Sequence, residues 1–162
     1  MALLRDPKNT GAPFELSQFS SAARELGLSY DVFDVSTGND IDQEFQKMAD
    51  EHFQAVVVFT ANLLLTERKR ISALGLKHRL AVVAPAKLFV DVGALLPYGP
   101  DLSTLWHRAA HFVDKILKGE SVGNIPIERP TKFDFCLNLS TAKVLGIEFP
   151  PAMLALADEV IE

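Results

Sequence analysis

The feature that most constrains this chain is a short, unbroken apolar run, Ala55-Val56-Val57-Val58-Phe59, set between two amphipathic segments. A strand with no polar alternation has no face to show to water. It belongs in a sheet covered on both sides, which is the setting of parallel strands. Related signals recur along the chain. Ala2 to Leu4 reads as the end of a buried strand, Tyr30 to Val35 alternates as a strand, and Leu80 to Ala84 gives another buried run ended by Pro85. Helical periodicity fills the gaps. Asn9 or Thr10 can cap a helix with Pro13 in its first turn; Phe14, Leu16, Phe19, Ala22, Ala23 and Leu26 follow at three- and four-residue spacing, and Gly27 ends it. Asp40 can cap a second helix whose Ile41, Phe45, Met48 and Ala49 share one face. A third, charged helix puts Leu64, Ile71 and Leu74 inside and turns Glu67 to Arg70 to water. Strand and helix in strict alternation predict an α/β fold, a doubly wound, mostly parallel sheet with right-handed crossovers.

The rhythm breaks after Pro85. Phe89 to Gly93 reads as a turn of helix, Ala94 to Leu96 as a short strand, and Pro97-Tyr98-Gly99-Pro100 as a rigid connection. A strong amphipathic helix is predicted from Leu102 to Leu117, with Leu102, Leu105, Trp106, Ala109, Phe112, Val113 and Ile116 on its apolar side and Gly119 closing it. Ser121 to Pro130 lacks periodicity and reads as a linker. Phe133 to Leu139 alternates as one more strand, and helices at Thr141 to Leu145 and Pro151 to Ile161 finish the chain.

A chain of 162 residues makes a single domain, residues 1–162. Charged residues are only 23% and Phe occurs 11 times, which excludes intrinsic disorder. Acidic residues outnumber basic ones, 21 against 16, and no stripe of Lys and Arg forms, so a nucleic-acid partner is excluded. The lone Cys136 excludes an internal disulfide and a cysteine-based zinc site, and it reads as a small packing residue. Met1 to Pro7 carries no secretory signal, so the chain as it stands would remain cytoplasmic.

Enzyme motifs are absent: no glycine-rich dinucleotide or phosphate loop, and no nucleophile elbow. A receiver-type phosphorylation domain shares the strand–helix rhythm but needs a carboxylate at the end of the third strand, where Thr60, Ala61 and Asn62 stand instead. His107 and His111 have the i, i+4 spacing of a metal pair, yet Arg108 follows the first and only Asp114 offers a further ligand, so no metal site and no cofactor are expected. What remains is polar residues at strand ends, where ligands of open α/β sheets sit. Those positions hold Asn9 and Thr10, Thr60 and Asn62, and Lys87, with Tyr98 and Phe89 as a flat apolar wall. Asn9 and Thr10 would open a helix whose free N–H groups attract a carboxylate. Asn62 offers both donor and acceptor to a zwitterion. The set suits binding without catalysis.

The C-terminal half carries a long ordered signature. It runs through Tyr98-Gly99-Pro100, Arg108-Ala109-Ala110 and Val113-Asp114-Lys115-Ile116-Leu117-Lys118-Gly119, then Ile125-Pro126-Ile127-Glu128 and Pro130-Thr131-Lys132-Phe133. It continues through Asn138-Leu139, Thr141-Ala142-Lys143, Leu145-Gly146-Ile147 and Pro150-Pro151 to Ala157-Asp158-Glu159-Val160-Ile161. This resembles the ABC-transporter substrate-binding proteins of the tryptophan/tyrosine-type family. The opening Leu4-Arg5-Asp6-Pro7-Lys8-Asn9 resembles the start of that family's second lobe.

The resemblance implies one lobe of a type I periplasmic-binding-protein fold, a small-molecule solute (an aromatic or other amino acid), an ABC permease as partner, and a periplasmic location. By position Asn9-Thr10 and Thr60-Ala61-Asn62 match family segments near the ligand, with Ala61 where an acidic residue often stands. It further implies that residues 101–130, helix and linker, pack on a first lobe that these residues do not include. Without that lobe the helix would expose Leu105, Trp106, Phe112 and Ile116, so the chain is expected to pair with a second copy through Leu102 to Leu117. The alternative reading is a truncated stand-alone domain, acting as a protein-interaction or dimerisation module without a transport ligand.

Overall fold

The β-branched run pairs where its hydropathy requires. In the computed structural model, which describes Met1–Glu162, strand β3 (Ala55–Val58) lies between β1 (Ala2–Arg5) and β4 (Ala81–Ala84), parallel to both, with Val57 opposite Leu3 on one side and Val83 on the other. Adding β2 (Asp31–Asp34) beyond β1 and β5 (Leu96–Pro97) beyond β4 gives a five-stranded parallel sheet in the order β2-β1-β3-β4-β5. The alternation of chemistry along the chain has become a doubly wound α/β layer, as predicted.

Helices α1 (Ala12–Glu25), α2 (Gly38–Asp50), α3 (Asn62–Thr66), α4 (Arg68–His78) and α5 (Lys87–Val90) connect the strands. Ala2, Leu4, Val56, Val58, Val82 and Ala84 share one core with Ile41, Phe45, Met48, Leu64, Ile71 and Phe89, while Ala81 packs with Leu95 and Ala142 in a smaller second cluster. Phe45 and Phe89 are fully buried, each contributing about 1.5–3 kcal/mol by removal from water.

Several local expectations are corrected. Helix α1 starts at Ala12, not at Asn9 or Thr10, because Asn9 Oδ1 accepts from the Gly11 amide at 2.9 Å and folds the loop into a turn instead. Helix α2 is capped at Thr37; Asp40 sits inside it and its carboxylate accepts from the Ser36 and Thr37 amides, both at 2.8 Å. The expected single charged helix breaks at Glu67. The Thr66 hydroxyl donates to the Asn62 carbonyl at 2.9 Å, a local bond that competes with helix continuation.

Beyond the sheet, β6 (Gly99–Pro100) pairs antiparallel with β7 (Phe133–Asp134), and between them the chain makes an excursion through α6 (Leu102–Leu117). No residue of α6 is buried. The strand expected from Phe133 to Leu139 is two strands: after β7 the chain changes partner, and β8 (Cys136–Asn138) pairs parallel with β9 (Glu159–Ile161). Hydrogen bonds from the Phe135 amide to the Asp158 carboxylate at 3.0 Å and from the Asp158 amide to the Phe135 carbonyl at 2.8 Å fix that change. The assumed alternation therefore fails, since Cys136, Leu137 and Asn138 are all buried and Phe133 is half exposed. For the same reason the last predicted helix is shorter: α8 ends at Leu156 (Pro151–Leu156) and the residues after it join a strand. Helix α7 (Leu139–Leu145) begins at Asn138, whose side chain accepts from the Thr141 amide at 2.9 Å.

Candidate functional site

With β1 between β2 and β3, the loops leaving β1 and β3 diverge to opposite sides and open a crevice at their carboxyl ends. The two loops are tied across it. Asn9 Nδ2 donates to the Thr60 carbonyl, and the Thr60 amide donates to Glu15 Oε2 at 3.1 Å. Both backbone groups of Thr60 are thus engaged, which leaves its exposed side chain as the part available to a ligand. Glu15, in the first turn of α1, also places a carboxylate at the helix end expected to attract one from solution.

The crevice holds a cleft of about 700 Å³, a size suited to a small molecule. Asn9, Thr10, Thr60, Asn62 and Tyr98, all expected there, line it together. Lys87 does not. Its ammonium is bound by Asp91 at 3.1 Å and Glu159 at 3.3 Å, and these partners, Asp91 first, hold it above the usual lysine range. Among the further lining residues, which sequence patterning did not point to, are Asp6 and Lys8 in the turn after β1, and Leu102 and Trp106 on α6. The turn chemistry of Asp6 was legible; its Oδ1 accepts from the Lys8 amide at 2.9 Å.

The aromatic side of the cleft rests on a close approach. A β-carbon on Gly99 would lie 1.9 Å from the Pro85 carbonyl oxygen, so only glycine lets β6 pass so near the loop after β4. Tyr98 beside it is three-quarters exposed and stacks on Phe133, ring centroids 6.3 Å apart and planes 28° from parallel. Trp106 is equally exposed, and Phe89 lies fully buried against the cleft. At the entrance to α6, Asp101 caps the helix by accepting from the Thr104 amide at 3.1 Å and pairs with Lys132 at 2.9 Å. The Lys132 ammonium, then the Thr104 donors, hold this carboxyl far below the usual range. Burial pushes neighbouring Asp134 the other way, upward, with the Asp101 charge adding to it.

This sequence matches the family described as ABC transporter substrate binding protein over residues 1–161. The chain belongs to that family. A "Tyrosine-binding protein" of Clostridioides difficile is 25% identical over 122 residues, which are 74% of this chain and 35% of that protein. Among solved structures, an ABC domain from Streptococcus pneumoniae in complex with L-Trp superposes with a TM-score of 0.90 at 21% identity, covering 99% of this chain and 54% of that one. A conserved domain protein of Vibrio cholerae gives 0.89 at 20% identity, covering 98% and 53%. A ligand-free, open substrate binding protein with adhesive properties from Clostridium difficile gives 0.72 at 21% identity, covering 99% and 53%. These structural likenesses carry the fold: the sheet and its helices are those of periplasmic-binding-protein-like domains. This substrate-binding-family chain spans about a third of the curated relative and about half of the solved ones. No helix in it is long and apolar enough to cross a membrane.

Proposed function

We propose that the chain is the solute-binding lobe of an ABC importer's substrate-binding protein, working outside the cytoplasmic membrane, binding without catalysis and passing its solute to a membrane permease. The cleft carries this reading. It joins a side-chain amide, Asn62, and hydroxyls of Thr10 and Thr60 to the flat faces of Tyr98 and Trp106, with a carboxylate (Asp6) and an ammonium (Lys8) at opposite ends of one turn. A small zwitterion with an aromatic body matches every one of those groups. Relatives bearing the names of tyrosine-binding and L-Trp-bound proteins support an aromatic amino acid as its class.

The test is thermal denaturation of the protein with L-Trp and L-Tyr. A ligand at 100 times its Kd stabilises the native state by about 2.7 kcal/mol, a shift of several degrees. Asn62→Ala is expected to abolish the shift, and Lys87→Met to keep it. An unchanged shift in the Asn62 variant refutes the site.

A second reading concerns residues 101–130. Every residue of α6 is at least partly exposed although Leu105, Trp106, Phe112 and Ile116 share its apolar side, and a face of that kind is ordinarily covered. We infer that this segment packs on a further folded unit, and the greater length of the relatives supports one. Where these 162 residues are prepared alone, a second copy takes that role through Leu102–Leu117. Light scattering that gives a clean monomer at micromolar concentration refutes the pairing. Micromolar binding of an amino acid by calorimetry excludes the alternative of a module that binds only proteins.

A further inference from the structure

Six helices of this chain end in one backbone motif, in which a left-handed residue and the residue after it donate their amides back into the last turn. In α1, α5, α6 and α7 the left-handed residue is glycine: Gly27, Gly93, Gly119 and Gly146, with φ of 66°, 108°, 92° and 73°. In α2 and α4 it is not. His52 (φ 61°) donates to the Ala49 carbonyl and Phe53 to Met48, both at 3.0 Å; Arg79 (φ 57°) donates to Leu76 at 3.2 Å and Leu80 to Gly75 at 2.8 Å. These are the chain's only non-glycine residues with positive φ. A side chain there strains the backbone, and glycine relieves it.

Both strained residues open onto the same cavity, of about 600 Å³, at the amino ends of β3 and β4 and so at the opposite end of the sheet from the strand-end cleft. His78 and Gln54 add further N–H donors, while Leu145 and Ile147 of the α7 end form part of an apolar wall. No carboxylate lines the cavity. Arg79, His52 and His78 take part in none of the chain's ion pairs. His78 lies in the last turn of α4 and serves its dipole, but that service does not account for Arg79 or His52. Lys47 and Lys77 already occupy the last turns of α2 and α4, where a cation meets a dipole without backbone strain.

We propose that this cavity is a second ligand site, independent of the cleft reading, which takes an oxyanion (a carboxylate or a phosphate) carried on a small apolar body. The Arg79 guanidinium supplies the fixed charge and a planar fork of donors. The His52 and His78 rings and the Gln54 amide supply further N–H groups, and the Leu145–Ile147 wall takes the apolar part. The negative ends of two helices weigh against an anion here, but the lysines of their last turns offset them before Arg79 is counted.

The experiment is titration of the protein with benzoate, phenyl phosphate and inorganic phosphate, followed amide by amide in proton–nitrogen correlation spectra. Shifts are expected at residues 53–55, 79–81 and 145–147, with residues 60–62 unmoved. Response to benzoate alone assigns a carboxylate ligand, response to the phosphates alone a phosphate ligand, and response to all three a site that reads the oxyanion itself. Arg79→Gly and His52→Gly are each expected to weaken binding at least tenfold while raising Tm by about 2–4 °C. That pairing separates a ligand site from a structural role, since a structural residue would lower Tm when removed. Silence towards all three probes overturns the proposal, as does a glycine variant that melts lower or binds as tightly as the parent.

Discussion

Replacing Gly99 with alanine tests whether the cleft depends on the contact between β6 and the loop after β4. The added β-carbon would stand 1.9 Å from the Pro85 carbonyl oxygen and 2.9 Å from its carbon. Ordinary carbon–oxygen contact begins at about 3.3 Å, so the two backbone segments must part by about 1.4 Å. Neither side is a flexible side-chain tip that could swing away. Overpacking of this kind costs about 1–3 kcal/mol, and backbone against backbone puts Gly99→Ala at the upper end. For a chain of this length that is a fall in Tm of about 6–12 °C. The same movement carries Tyr98 and Pro100 away from Pro85 and Ala86 across the cleft, so the affinity for an aromatic amino acid should fall at least tenfold. Gly123→Ala is the control, because its nearest neighbour is Ser121 Oγ at 4.0 Å, and it should melt within about 2 °C of the parent. The assays are scanning calorimetry for stability and titration calorimetry for the ligand. A Gly99→Ala protein that melts with the parent and binds as well would refute the steric argument and, with it, the cleft's dependence on this contact.

Two further outcomes are expected. Asn138→Ala leaves the buried Thr141 amide without its acceptor and also removes a longer bond, 3.3 Å, to the Val90 carbonyl; because that carbonyl still accepts from the Gly93 amide, the loss should be about 2 kcal/mol, with Asn138→Ser recovering at least half in urea denaturation. Asp101→Asn keeps a capping acceptor and removes the charge facing Lys132. The Asp101 carboxyl is held low in the folded state, so its contribution is complete above about pH 4 and is lost as pH falls through the folded value. The variant's stability should therefore fall less steeply below pH 4 than the parent's, and parallel acid limbs would refute the pairing.

The central strands β1, β3 and β4 were legible in the sequence because they are apolar on both faces, a pattern that needs no knowledge of partners, while the edge strand β2, buried only at Phe33, showed as alternation. Where partners decide, the reading failed. Glu159-Val160-Ile161 continues the acidic and apolar spacing of a helix, yet pairing with Cys136–Asn138 makes it a strand. Nothing local announces a contact between segments so far apart. The cleft divides the same way. Asn9, Thr10, Thr60, Asn62 and Tyr98 meet because strand ends and the turn before α6 converge at one place. Lys87 sits at a strand end too, but Glu159 reaches it from the far end of the chain and turns it into an ion-pair partner. Trp106 looked like an ordinary member of an apolar helix stripe; only the bend of the chain through β6 brings it to the cleft.

The position of β1 also has a consequence for synthesis. Within this sheet it is made before the other four strands and takes a neighbour on each side, and its second neighbour, β3, must wait for α1, β2 and α2. Closing that pair requires a long loop, which makes it slow compared with the local β1–β2 unit. Until it closes, Ala2, Leu3 and Leu4, all with 0% exposure in the finished protein, present an apolar ribbon with one unpaired edge. Another nascent chain can pair with that edge as readily as β3 can. The wait for β3 is when this fold is most open to misassembly, and high expression rates will lengthen the odds against it.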